Sequence, residues 1–145
     1  MKIRQATLNE ILDVTRLALV LWPDDSMPAT ALKIVETMCS NKGAYFLVFT
    51  DNEAVGFAQT TIKTHLNEET HPQLMGYIEG LFIKKNYRSE EVVQQLVNLG
   101  KQWAIEQGCG QFKGESFSSI QDGLVKEETA FINEMFSLHI KPVCA

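Results

Sequence analysis

The sequence predicts an α/β fold in mixed order, with the succession β-α-α-β-β-β-α-β-α-β. Two observations carry this. Three β-branched and aromatic segments, at 44–50, 54–63 and 75–83, follow one another with no helical stretch between them. That is the pattern of an antiparallel meander. A long amphipathic segment over 89–107 comes next, so strands and helices do not alternate as in a repeating βαβ barrel.

The elements follow in order from local chemistry. Residues 2–6 form a short strand. Asn9 is placed as an N-cap, and Ile11, Leu12, Val14, Leu17, Ala18, Leu21 and Trp22 recur at helical spacing. Pro23 ends that helix, because the residue before a proline is pushed out of the helical region. Asp24, Asp25 and Ser26 make a polar loop. Pro28 opens a second helix, with Ala31, Ile34, Val35 and Met38 on one face. Asp51-Asn52 is a hairpin turn between the first two meander strands. Residues 66–73 are polar, contain Pro72 and form a loop.

Ser89 caps the long helix, and Glu90 and Glu91 suit the positive end of its dipole. Val92, Leu96, Leu99 and Trp103 make one apolar row, and Val93, Val97, Gly100 and Ala104 a second row of smaller side chains. Gly108 falls where a left-handed residue closes a helix. Beyond it we expect a strand over 111–117, a helix over 121–130 and a closing strand over 135–143.

Composition narrows the class. The 145 residues are 45% hydrophobic and 21% charged, which fits one domain spanning 1–145 without a metal or disulfide staple. No apolar run reaches the roughly 18 residues of a membrane span. The opening Met1-Lys2-Ile3-Arg4-Gln5 lacks the apolar core of a secretory leader, so the expected location is the cytoplasm. With 18 acids against 13 bases, phosphate-driven nucleic-acid binding is disfavoured and a cationic small molecule is permitted. Cys39, Cys109 and Cys144 are an odd number without close spacing, and His65, His71 and His139 show no metal-ligand pattern. No metal site is expected.

Four passages carry a family resemblance: Leu21-Trp22-Pro23; Glu69-Thr70 with Pro72; Tyr77-Ile78-Glu79-Gly80; and Gln102-Trp103-Ala104 with Gln107-Gly108-Cys109. In this order and spacing the chain resembles the GNAT N-acetyltransferase superfamily, and within it the short bacterial aminoglycoside 6′-N-acetyltransferases. The resemblance implies a central mixed, largely antiparallel sheet flanked by helices. It implies transfer of an acetyl group from acetyl-CoA to an amine of a cationic, aminoglycoside-like molecule. Backbone amides at Leu81 and Ile83 would bind pantetheine, and the amide of Leu81 or Phe82 would polarise the thioester carbonyl. A carboxylate would orient the amine and take its proton. Glu79 and Glu115 are the matching catalytic positions, and Trp22, His65 and Glu79 the substrate-binding ones. Read from its neighbours alone, Glu79 is either a substrate contact or a strand glutamate with a lysine partner. The resemblance also implies a homodimer, with Phe131, Met135, Phe136, Leu138, Ile140 and Val143 as its apolar surface.

The pyrophosphate loop departs from the family pattern. Where an Arg/Gln-x-x-Gly-x-Gly/Ala loop is implied, the chain reads Arg88-Ser89-Glu90-Glu91-Val92-Val93. Arg88 and Ser89 remain, while Glu91 and Val93 replace the small residues that let amides approach a phosphate. Two unit charges ~5 Å apart at an effective dielectric of ~20 repel by about 3 kcal/mol, roughly a hundredfold in affinity. From Phe117 onward the resemblance fades. Three readings follow: a working N-acetyltransferase, a non-catalytic ligand-binding or interaction protein of the same fold, and a GNAT enzyme for a polyamine or peptide amine.

Overall fold

Residues 1–65, 73–109, 111–112, 124–125 and 129–130 are described by a computed structural model of the chain. Strand β1 (Lys2–Gln5) leads through a 3-10 turn (Leu8–Glu10) into α1 (Ile11–Leu21) and α2 (Met27–Ser40). The meander follows as β2 (Gly43–Thr50), β3 (Glu53–His65) and β4 (Gln73–Ile83). A second 3-10 turn (Lys85–Tyr87) precedes α3 (Glu90–Glu106), after which come β5 (Gln111–Phe112), β6 (Leu124–Val125) and β7 (Thr129–Ala130). The sheet runs β1-β2-β3-β4-β5, antiparallel as far as β4, and β5 lies parallel to β4. The mixed α/β class and the antiparallel meander are as the sequence predicts.

The sheet is covered on both faces, which explains why its strands read as continuous apolar runs. Along β2, Ala44, Phe46 and Val48 join the core under α3, while Tyr45 and Leu47 join the core under α1 and α2. Helix α3 supplies Val92, Val93, Leu96, Val97, Trp103, Ala104 and Ile105 to the first core. Val14, Leu17, Ala18, Leu21 and Ile34 supply the second. The turn Asp51-Asn52 has φ of 50° and 67°, the left-handed pair that a two-residue hairpin turn needs.

Ser89 caps α3 by accepting a hydrogen bond from the Val92 amide at 3.1 Å, and Gly108 takes φ of 99° beyond the helix end. Asn9 does not cap the first helix. It lies inside the 3-10 turn, where Thr7 and Glu10 form a capping box. Glu10 wins because it also holds Arg4 through a paired contact of both guanidinium nitrogens, one at 2.8 Å, which keeps its carboxyl below the usual range. The helix expected over 121–130 is also corrected: Leu124–Val125 and Thr129–Ala130 are strands, paired antiparallel with Leu81–Phe82 and Tyr77–Ile78 of β4. Strand β5 covers only Met75 and Gly76, so the rest of that β4 edge offers unpaired backbone groups that recruit extended chain. The strand expected over 111–117 is seen at 111–112, and its remainder, like the closing strand over 135–143, lies outside the described residues.

Helix α3 crosses the sheet closely at Gly100, where an added Cβ would collide with the Thr60 hydroxyl. Alanine there gains about 1 kcal/mol of helix propensity but loses about 1–3 kcal/mol to overpacking. We therefore expect Gly100→Ala to lower stability in urea unfolding. Adding Thr60→Ala should restore it, since that hydroxyl is buried and finds no hydrogen-bond partner among the described residues. A Gly100→Ala variant as stable as the parent would remove this contact from the account.

Candidate active site

The site is built by a β-bulge. In the β3–β4 ladder Gln59 stands opposite Gly80, while Thr60 stands opposite Ile78. Glu79 is therefore the extra residue on β4, and the register shifts there. Ile78 and Leu81 both point into the α3 core. Between them Glu79 and Gly80 both face α1 and α2. Gly80 is needed because Trp22 lies against its backbone: a Cβ at Gly80 would sit 2.6 Å from the indole ring. Trp22 is delivered to this spot by the end of α1, where its backbone N–H closes on Ala18.

The result is a cleft of about 510 Å³ between the sheet and the two helices. That is within the roughly 300–1,000 Å³ of small-molecule sites. Trp22, Tyr45, Gln59 and Glu79 form its floor and one wall, and Asp25, Thr30 and Lys33 its helical side. Gln59 is 5% exposed, and its side-chain amide donates to Glu79 Oε2 at 2.8 Å. A half-buried carboxylate with one neutral donor suits binding an ammonium or accepting a proton from one. Tyr45, opposite Gln59 on β2, completes a row of three polar side chains across three strands. Burial pushes its phenol up to about 12; a hydrogen bond with Thr37 opposes this and the Glu79 charge adds to it. The Thr30 hydroxyl, in the same cleft, is buried and finds no partner among the described residues.

The structure thus brings Glu79 and Trp22 together. It does not bring His65 to them: His65 ends β3 six residues beyond Gln59, about 20 Å away at the strand rise. Glu115 lies outside the described residues. Leu81 and Ile83 turn their side chains into the α3 core, leaving backbone on the β4 edge, and Phe82 is half-buried against the α1 side. That edge carries β6 at Leu81–Phe82, the stretch expected to bind pantetheine.

At the start of α3 the expected pyrophosphate residues have other work. Arg88 Nε donates to the Ile83 carbonyl at 2.6 Å, and its guanidinium lies 5.7 Å from the Phe82 ring centre. The Ser89 hydroxyl caps the helix. Val93 is a core side chain, 2% exposed, whose amide bonds to the Ser89 carbonyl. Glu91 is exposed. What faces a phosphate here is a helix N-terminus whose first turn carries two glutamates. Among the described residues no group of three metal-ligating side chains occurs, and no helix is long and apolar enough to cross a membrane.

Sequence reasoning missed Gln59, Tyr45, Thr30, Lys33 and Asp25. The one visible sign was Gln59 itself, a polar residue directly after the apolar run Val55-Gly56-Phe57-Ala58 on the same strand.

A carboxylate set on a bulged inner strand beside an aromatic wall, in a meander followed by a long capped helix, is an arrangement able to hold an amine and take its proton. The chain matches the Acetyltransferase (GNAT) family over residues 8–114, and it belongs to that family, whose co-substrate is acetyl-CoA. It is similar to an aminoglycoside N(6′)-acetyltransferase type 1 of Stenotrophomonas maltophilia, 29% identical over 115 residues, which are 79% of this chain and 74% of that one. The solved structure of AAC(6′)-Iy in complex with the bisubstrate analogue CoA-S-monomethyl-acetylneamine is 25% identical, with a TM-score of 0.63 over 74% of each chain. The aminoglycoside 6′-N-acetyltransferase AAC(6′)-IG of Acinetobacter haemolyticus, 21% identical with a TM-score of 0.65 over 75% of this chain and 74% of that one, shares the fold.

The buried phenol makes a pH prediction. Tyr45 ionises near 10 in the unfolded chain and near 12 in the fold. Between those values the unfolded state loses its proton first, so stability that is full below pH 10 falls as pH rises towards 12, by about 2–3 kcal/mol. Tyr45→Phe should lack this component. Parallel alkaline unfolding curves for parent and variant would contradict it.

Proposed function

We propose that this chain transfers the acetyl group of acetyl-CoA to a primary amine of a cationic, aminoglycoside-like small molecule. One observation carries the reading: Glu79, held by Gln59 and set beside Trp22, presents a carboxylate into a cleft of about 510 Å³. The names of the relatives, aminoglycoside N(6′)-acetyltransferases, support the acceptor class. Acetylating such an amine removes a positive charge, which is the chemistry of antibiotic resistance.

Acetyl-CoA supplies a thioester carbonyl as the acetyl donor. Trp22 walls the acceptor, and Asp25 at the mouth pairs with an ammonium of the acceptor. Glu79 orients the attacking nitrogen and accepts its proton, directly or through water, as the C–N bond forms and the C–S bond breaks; the sulfur leaves as the free CoA thiol, its proton supplied by solvent. Glu115, in the segment beyond Phe112, is the alternative base. Backbone groups at Leu81, Phe82 and Ile83 are the proposed contacts of the thioester arm, which requires β6 to leave the β4 edge. Arg88, Ser89 and the positions Glu91 and Val93 are the proposed border of the pyrophosphate, and His65 is proposed to meet the substrate only from the far end of β3. We further propose that the chain is one domain over 1–145, works in the cytoplasm and forms a homodimer through its apolar C-terminal stretch. Light scattering that finds only monomer at tens of micromolar would exclude the dimer.

A second reading, a non-catalytic ligand-binding member of the family, is favoured by the glutamates on α3 and by β6 on the cofactor edge. Acetyl-CoA titration and release of free CoA thiol with neamine as acceptor separate the two. The enzyme reading expects transfer, reduced about a hundredfold or more by Glu79→Gln. It also expects acetyl-CoA affinity to rise about tenfold to a hundredfold in Glu91→Gly, from one exposed charge removed and one amide opened. Binding of neamine with no acetyl-CoA heat at millimolar concentration, in parent and in Glu91→Gly, would establish the second reading instead.

A further inference from the structure

We propose that Gln59 is a positioning residue for the acceptor amine, acting through Glu79. This rests on the proposed acetyl transfer. An extra residue in a strand leaves its side chain without a cross-strand neighbour at fixed spacing, so Glu79 has rotamer freedom that a regular strand residue lacks. The cleft beside it is open enough for a glutamate to swing through several ångströms. Gln59 removes that freedom. Its side chain is buried, its strand position is fixed by pairing with Tyr45 on one side and Gly80 on the other, and its amide nitrogen holds Glu79 Oε2 at 2.8 Å. With Oε2 engaged, Oε1 is the oxygen left to meet an amine.

The identity of residue 59 suits this role. The position points to the cleft face and is almost fully buried, so an apolar side chain would pack there at no polar cost. A charged donor such as lysine would neutralise Glu79 and compete with the acceptor's own ammonium. A carboxamide donates one hydrogen bond, adds no net charge and leaves Glu79 available to a cation. Tyr45 backs it from the neighbouring strand. Its phenol stays protonated throughout the physiological range and so contributes no charge either.

The test is a double-mutant cycle with acetyl-CoA and neamine as substrates. Gln59→Leu should lower kcat/KM for neamine by about ten- to a hundredfold, the worth of one hydrogen bond to a charged group, while KM for acetyl-CoA stays within twofold. In the Glu79→Gln background the same Gln59→Leu change should cost less than about threefold, because the group it positions is gone. A merely structural role for Gln59 would cost equally in both backgrounds, and that result overturns the proposal, as does a Gln59→Leu enzyme with parental kcat/KM. If the parent binds neamine but transfers no acetyl group, the enzyme reading fails separately. The cycle is then read on neamine affinity by calorimetry: coupling between residues 59 and 79 supports the positioning role, and equal losses overturn it. A parent that neither binds nor acetylates neamine overturns both.

Discussion

The bulge at Glu79 is the constraint on which the site depends. A regular strand turns alternate residues to opposite faces, so a carboxylate facing the cleft would be flanked by two residues facing the α3 core. The chain breaks that rule once. Ile78 and Leu81 both enter the α3 core, and the two residues between them both face the cleft. One of the two is the carboxylate, and the other is a glycine that lets the Trp22 ring come close to the backbone. Glu79 thus gains an aromatic neighbour without losing its place on a rigid strand. Its polar partner comes from the next strand, because Gln59 is the residue paired with Gly80. Straighten the bulge with Glu79 kept in the ladder and Leu81 and Phe82 exchange faces, which would open both cores at once.

The rest of the fold serves to hold that strand. β4 is the central element: β3 pairs with it along its length, α3 covers one face and α1 the other. The close crossing at Gly100 brings α3 down onto Thr60, the residue directly beside the bulge. On the opposite side α1 ends at Trp22. The two helices therefore press on the same short stretch of sheet from both sides, and the bulge is kept in one arrangement by packing on either face.

Legibility from sequence followed the range of the interactions. Helix α3 was visible in full because its cap, its acidic first turn, its two apolar rows and its terminal glycine are all within reach of their own neighbours. The Asp51-Asn52 turn was visible for the same reason. Asn9 misled because three candidate caps, Thr7, Asn9 and Glu10, compete within four residues, and Arg4 on a different element decides between them. The segment 121–130 has helical composition, but the open edge of β4 is a long-range demand that no local pattern announces. Glu79 and Trp22 could be picked out from motif and from the cost of a carboxylate among apolar neighbours. Gln59 and Tyr45 could not be joined to them, because that needs the register of three strands, and the register shifts at the bulge itself.

The start of α3 shows how one stretch meets two opposing requirements. A helix that must begin at Ser89 wants a hydroxyl on its third amide and acids in its first turn, and it has both. A phosphate wants those same amides with no carboxylate beside them. Arg88, the residue best suited to offset the acids, is turned back onto the Ile83 carbonyl and the Phe82 ring. Lys84 is engaged with Glu53 at 2.8 Å. Two of the positive groups near the loop, Arg88 and Lys84, are thus spent on fixing the end of β4, and the loop itself is built for helix stability. On the proposed site, affinity for acetyl-CoA would then have to come chiefly from the strand edge rather than from the pyrophosphate. On that edge the proposed pantetheine contacts are the backbone groups that β6 already occupies at Leu81–Phe82. Cofactor binding at the proposed contacts would therefore be an exchange of one set of strand hydrogen bonds for another, with a net strength equal to the small difference between them.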